Sequence, residues 1–242
     1  MTIDNFDILG RFLLKKDITA KKSVDDSFWK IELVSRKKDN CDVKQTRLIA
    51  SYNVHSYDEM LEKKDLITAI CKATGARAYL SINRKSEHQA SLDMLVKLSS
   101  LLASNASFYM KTMYESVMLS TSISGNKKVL VDADGLSHDE VALLIEMIDN
   151  LRNDKRLKER CKLLPVAIID GQDSSEYTGD DNDKFYDNVI CCVPTPNGWH
   201  VVCHPFIKEE FNEMCMEKLG KTFDMHTNNL VLLYYNNDKD DE

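Results

Sequence analysis

Two hydrophobic patterns alternate along the chain. Segments in which apolar residues alternate with polar ones, or run without interruption, predict strands at 28–34, 47–54, 76–85, 129–134, 163–169, 188–193, 199–204 and 230–235. Segments with apolar residues three or four positions apart predict helices at 57–73, 86–120, 137–151 and 208–219. Residues 1–26 show no strong period and are interpreted as an irregular arm or a short helix.

The order of these elements predicts the fold class. Strands 28–34 and 47–54 form a hairpin, and strands 188–193 and 199–204 form a second one around the tight turn at 194–198. Hairpins make antiparallel pairs, so we expect an α+β protein with a mixed, largely antiparallel sheet and packed helices. We expect a single domain over residues 1–235, with a helical hairpin inserted at about 86–120 and a disordered acidic tail at 236–242.

Composition narrows the function classes. The 242 residues have a net charge of −7, which argues against a chain that coats nucleic acid with its whole surface but permits a local basic groove. No stretch approaches the roughly 18 apolar residues of a membrane span, and residues 1–6 show no basic region followed by an apolar core, the pattern typical of a signal peptide. The seven cysteines form no Cys-x-x-Cys pair, which is typical of reduced core thiols. We therefore expect a soluble, cytoplasmic protein with no membrane partner.

Two carboxylates end the aliphatic strand at 129–134. Because side chains alternate along a strand, Asp132 and Asp134 point to the same face and repel each other. Oxygen-rich pairs of this kind favour Mg²⁺ or Mn²⁺, which in turn bind phosphates. The alternative is that Asp-x-Asp-Gly only makes a turn before a helix capped by Ser137.

Polar and basic residues lie along the strand predicted at 76–85. Arg77 lies on its polar face, and Asn83, Arg84 and Lys85 come at its end. These donors suit an anion such as a triphosphate. A charged, solvated turn is the alternative.

A histidine lies on the returning strand of the second hairpin, in the sequence Asn197-Gly198-Trp199-His200. Taken alone, such a histidine is interpreted as one satisfied by neighbouring backbone. The chain has no glycine-rich phosphate loop and no Gly-x-Ser-x-Gly nucleophile elbow.

These motifs, in this order, resemble the archaeo-eukaryotic primase superfamily, whose core carries an Asp-x-Asp strand, a small-x-His hairpin strand and a later third acid. Asp132-Ala133-Asp134 matches the first motif and Gly198-Trp199-His200 the second. The segment 195–206 is also similar to uncharacterised phage and gut-bacterial proteins with the same pattern. The resemblance covers roughly the last half of the chain together with residues 77–86.

The resemblance implies an RRM-like core and a metal-dependent nucleotidyltransferase that acts on nucleotides and on single-stranded or template nucleic acid. It implies Asp132, Asp134 and His200 as catalytic residues, His200 with Arg77, Asn83, Arg84 and Lys85 as nucleotide-binding residues, and Mg²⁺ or Mn²⁺ as cofactor.

The third acid departs from the family pattern. The last strand contains no acid, and Asp224 is the nearest candidate third metal ligand. The alternative function is therefore a catalytically inactive binding module of a phage or mobile element, with a protein partner in the bacterial cytoplasm. A sugar transferase with a metal-binding Asp-x-Asp is a further alternative, in which His200 has no role.

Overall fold

The computed structural model describes residues 1–15, 27–39, 45–104, 127–151, 188–227 and 230–236. The strands of these residues are, in chain order, β1 Thr2–Asp4, β2 Ser27–Ser35, β3 Arg47–Val54, β4 Arg77–Ser81, β5 Lys85–Ser86, β6 Val129–Asp134, β7 Val189–Thr195, β8 Gly198–Cys203, β9 Asp224–His226 and β10 Leu230–Asn236. The α-helices are α1 Phe6–Leu9, α2 Tyr57–Glu62, α3 Lys64–Thr74, α4 Glu87–Ala103, α5 His138–Asn150 and α6 Lys208–Leu219. A π-helical turn, Gly10–Lys15, follows α1.

The strands form two sheets. The first has the order β1-β10-β4-β2-β3 with β5 paired to β2, and the second has the order β7-β8-β6-β9. Every described pairing is antiparallel. The predicted α+β class and the predicted hairpins are therefore confirmed. The expectation of one sheet is wrong, because β6 pairs with β8 and β9 and with no described strand of the first sheet.

The larger hydrophobic core is shared by both sheets. It joins residues of β2, β4 and β10 with Leu130 of β6 and Val202 of β8. A second core lies on the other face of the second sheet, where Val131 and Val201 pack with the inner residues of α5 and α6. Burial on both faces explains why the strands of the second sheet read as nearly continuous apolar runs.

Local sequence signals set the helix ends. Ser56 accepts a hydrogen bond from the Glu59 backbone N–H, and Gly75 ends α3 with a left-handed φ of 62°. The predicted helix at 57–73 is divided at Lys63 into α2 and α3. Ser137 and Glu140 form a complete capping box at the start of α5, as the pattern indicated.

Several predicted segments lie outside the described residues: the strand at 163–169, the polar loop at 170–187, helix 86–120 beyond residue 104, and the tail from 237 onward. Strand β1 and helix α1 occupy the arm that showed no period, and β9 was not predicted at all. The five described cysteines are free and buried. No helix among the described residues is long and apolar enough to cross a membrane.

Candidate active site

Strand β6 presents its two carboxylates on one face, as its alternation predicted. Val131 and Ala133 are fully buried in the second core, whereas Asp132 is half-buried and Asp134 exposed. Gly135 then turns the chain with a φ of 72°, a conformation that residues with a Cβ rarely adopt. The two carboxylates are therefore placed where the strand emerges from the core.

Strand β8 sets His200 directly across from Asp132 in the antiparallel register. Opposed residues in such a pair point to the same face of the sheet. Two residues further along, Gly198 lies across from Asp134, and a Cβ on Gly198 would collide with the Ala133 carbonyl oxygen and lie 2.8 Å from the Asp134 Cα. The close approach of these backbones is a physical reason for a glycine two residues before the histidine.

The first sheet fixes the tautomer of His200. The backbone N–H of Leu232, on β10, donates to His200 Nδ1 at 3.1 Å. A nitrogen that accepts this bond carries no proton, so the neutral ring holds its proton on Nε2. Burial lowers the pKa of His200 to about 4, although the carboxylate of Asp134 opposes this shift. Near neutral pH His200 is therefore an uncharged donor with a fixed orientation.

Asp132 faces His200 without forming a hydrogen bond to it. Its Oδ1 lies 4.0 Å from His200 Nε2, which is too long for a hydrogen bond, and this buried oxygen has no hydrogen-bond partner among the described residues. Burial, and then the neighbouring Asp134 carboxylate, raise the pKa of Asp132. A buried carboxylate oxygen without a donor is unfavourable in the protein alone and is stabilised by a bound cation.

The carboxylates and the imidazole line a cleft of about 300 Å³ where the two sheets meet. The first sheet and the turn after β2 contribute three cationic side chains to the same cleft, Arg36, Lys38 and Arg77. The other lining residues are apolar or form hydrogen bonds: Val34, Thr46, Tyr79, Thr195, Asn197, Leu230 and Leu232. An acidic side of the cleft thus lies beside a basic side.

The candidate third acid is close in the sheet but does not line the cleft. Asp224 lies on β9 directly across from Asp132, so the two carboxylates share a face, and Asp224 is exposed. No group of three or more His, Cys, Asp or Glu side chains is close enough to hold a metal ion by itself, within the part of the chain that is described. Two carboxylates nevertheless fit Mg²⁺, which commonly takes one or two protein carboxylates and completes its shell with water and substrate phosphates.

Three of the predicted nucleotide-binding residues lie elsewhere. Asn83 accepts from the Lys128 backbone N–H and donates to the carbonyls of Lys128 and Thr227, which ties the two sheets together. Arg84 lies over the ring of Trp29, with its guanidinium carbon 4.7 Å from the ring centroid. The side chain of Lys85 is buried beside the ion pair of Lys30 and Glu32. The structure brings Asp132, Asp134, His200 and Arg77 together, and it does not bring these three residues to them.

The sequence interpretation missed two cleft residues, Arg36 and Lys38. Both lie in the turn after β2, to which the sequence analysis assigned no functional residue. Their place in the cleft depends on the pairing of β2 with β4, which brings Val34 opposite Arg77. The sequence shows the basic residues that follow β2, but it does not show that β2 pairs with β4.

Comparison of the chain with protein-family models, with curated proteins and with solved structures gives no match. The functional assignment therefore depends on the residues of the cleft.

Proposed function

We propose that the cleft binds a nucleoside triphosphate together with Mg²⁺ or Mn²⁺, and that the protein is a primase-polymerase-like nucleotidyltransferase acting on nucleotides or nucleic acid. One observation carries the proposal: Asp132, Asp134 and His200 line the same cleft as three cationic side chains. Phosphoryl transfer requires such a combination of carboxylates for a cation and fixed donors for phosphate oxygens. The RRM-like core implied by the resemblance belongs to the same proposal, supported by the antiparallel α+β architecture.

Each residue has a distinct role in this proposal. Asp132 and Asp134 hold the cation, which when bound neutralises phosphate charge and activates an attacking hydroxyl. His200 donates its Nε2–H to a phosphate oxygen, and its neutral state makes that bond insensitive to pH above the pKa of about 4. Arg36 and Lys38 offset the negative charge of the phosphates.

The second candidate is a binding module without catalysis. The observation that favours it is the position of Asp224, which is exposed and lies outside the cleft. With two carboxylates, a single cation and a nucleotide can bind while a second cation lacks a protein ligand. Such a protein would hold nucleotides or nucleic acid, or present them to a protein partner.

Asp132→Asn tests the proposal. We expect wild-type protein to bind a fluorescent nucleoside triphosphate only when Mn²⁺ is present, and Asp132→Asn to bind at least about tenfold more weakly, because the amide carries no charge for the cation. The thermal midpoint of the variant should equal or exceed that of the wild type, since the substitution removes the repulsion between the paired carboxylates. The matched control is Asp58→Asn, a change of equal charge at an exposed position of α2.

Primer extension separates the two candidates. Metal-dependent extension that is lost in Asp132→Asn supports the enzyme, and metal-dependent binding without extension supports the module. Binding that is equally strong without metal, or in Asp132→Asn, contradicts both.

A further inference from the structure

The turn after β2 is attached to the cleft by a buried ion pair. Asp39 accepts two hydrogen bonds from Arg77, from Nε at 2.7 Å and from Nη2 at 2.6 Å. Both side chains are less than a tenth exposed. Bidentate pairs between carboxylate and guanidinium combine charge with fixed geometry, so this contact sets the orientation of the guanidinium plane.

A second contact fixes the same guanidinium from its face. The ring of Tyr235, on β10, lies with its centroid 4.5 Å from the Arg77 guanidinium carbon. Asp39 occupies Nε and one hydrogen of Nη2, and Arg77 lines the cleft. Among the described residues no acceptor binds the hydrogens on Nη1 or the second hydrogen on Nη2, so these are the donors that face a ligand.

The same turn carries the other two cations of the cleft. Its four residues run from Arg36 to Asp39, and the Asp39 backbone N–H donates to the Arg36 carbonyl at 3.0 Å. Arg36 also donates to the Tyr79 hydroxyl at 3.2 Å. Asp39 therefore anchors the turn that carries Arg36 and Lys38. The same side chain orients Arg77 through its two hydrogen bonds.

We infer that Asp39 is a positioning residue for the anion subsite: it holds Arg77 and the turn with Arg36 and Lys38 in the geometry that receives the phosphates of the ligand. This inference rests on the proposed function of the cleft. Asp39 itself does not touch the ligand, and it adds a negative charge next to an anion site.

Because Asp39 is negatively charged, a purely electrostatic effect and a positioning effect predict opposite changes in anion affinity when Asp39 is removed. If electrostatics alone decided affinity, removal of an acid beside a phosphate site would strengthen anion binding. If Asp39 acts by positioning, its removal weakens binding although the site becomes more positive. A merely structural role would lower the unfolding midpoint and leave the affinity, measured well below that midpoint, unchanged.

The experiment titrates the protein of residues 1–242 with inorganic triphosphate in the presence of Mn²⁺, by calorimetry. We expect Asp39→Asn to bind about tenfold more weakly than wild type, because a displaced guanidinium and a loosened turn lose directed hydrogen bonds. Asp39→Glu keeps the charge but lengthens the side chain, and should bind about threefold more weakly. The control, Asp58→Asn, removes the same charge from the exposed surface of α2 and should bind like wild type.

The outcomes are distinguishable. Wild-type protein that does not bind triphosphate overturns the proposed function, and this inference with it. Wild-type binding with an unchanged or stronger affinity in Asp39→Asn overturns the inference alone. If Asp39→Asn does not fold, Asp39→Glu decides, and an affinity equal to wild type overturns the positioning role.

Discussion

Lys85 illustrates how a charge can be buried in the fold rather than used in the cleft. It lies on β5 and is 2% exposed, beside the ion pair of Lys30 and Glu32. Burial, and then the charge of Lys30, lower the pKa of Lys85 from 10.5 to about 8. Between these two values the unfolded chain binds more protons than the folded one, so stability increases with pH. The destabilisation from Lys85 is complete below pH 8 and disappears toward pH 10.5.

Replacing Lys85 with methionine should therefore stabilise the protein at pH 7. The expected gain in the free energy of unfolding is roughly 2 kcal/mol, since the apolar stem is kept and the buried charge is removed. The gain should shrink toward zero at pH 10, where the wild-type lysine is largely neutral in the folded state. Urea unfolding at pH 7 and pH 10 measures both values.

Lys127→Met is the control, because Lys127 is exposed and its substitution should change little at either pH. Triphosphate binding should be unaffected by Lys85→Met. A loss of stability that is the same at both pH values would show that Lys85 stabilises the fold.

At the scale of elements, the pairing of β6 with β8 builds the acidic side of the cleft. Gly198 is the point of closest approach, since a Cβ there meets the backbone of Ala133 and Asp134 on the opposite strand. Backbone atoms cannot rotate away as side chains do, so the strands must separate to admit a larger residue. That separation would move Asp134, which lies directly across from Gly198.

Gly198→Ala should lower the free energy of unfolding by about 2 kcal/mol and weaken Mn²⁺ binding by about tenfold, because strain and a displaced carboxylate arise together. Urea unfolding and Mn²⁺ titration of the folded variant measure the two effects. Gly10→Ala is the matched control: its Cβ would collide with the Tyr57 ring in the core, so it should lose stability and keep its Mn²⁺ affinity. Equal Mn²⁺ affinity in both variants would contradict the link between the strand spacing and the metal subsite.

The elements differ in how far the sequence could predict them. Strand β6, the hairpin of β7 and β8, and the capped helix α5 carry local signals, so their presence and the orientation of Asp132 and Asp134 followed from alternation and turn residues. The hairpin strands extend further into the predicted turn at 194–198, to Thr195 and from Gly198. Strand β9 is three residues long and has no such signal, although it aligns Asp224 with Asp132. The place of β4 between β2 and β10 is a long-range choice that no local pattern encodes. The basic side of the cleft depends on this strand order. The sequence therefore predicted only one of its three cations, Arg77.

At the scale of the whole molecule, the cleft exists only while the two sheets stay together. The larger core takes residues from both, so neither sheet can bury its apolar face alone. Two buried asparagines strengthen the junction. Asn83, which follows β4 of the first sheet, binds backbone groups of Lys128 and Thr227, which flank β6 and β9 of the second. Asn5 donates to the carbonyls of Pro194 on β7 and Leu232 on β10. A shared core with satisfied polar links predicts one cooperative unfolding unit.

The two tryptophans of the chain allow this to be measured, because Trp29 lies on β2 of the first sheet and Trp199 on β8 of the second. In Trp199→Phe the fluorescence reports the first sheet, and in Trp29→Phe it reports the second. We expect the fluorescence and far-ultraviolet circular dichroism of each variant to give the same urea midpoint. Asn83→Ala, added to each, should lower the free energy of unfolding by about 3 kcal/mol and keep the two signals coincident, since buried backbone groups lose their partners while the shared core remains. Midpoints that separate in either single-tryptophan variant would mean that the sheets unfold independently, and a cleft formed between two such units would open without loss of either fold.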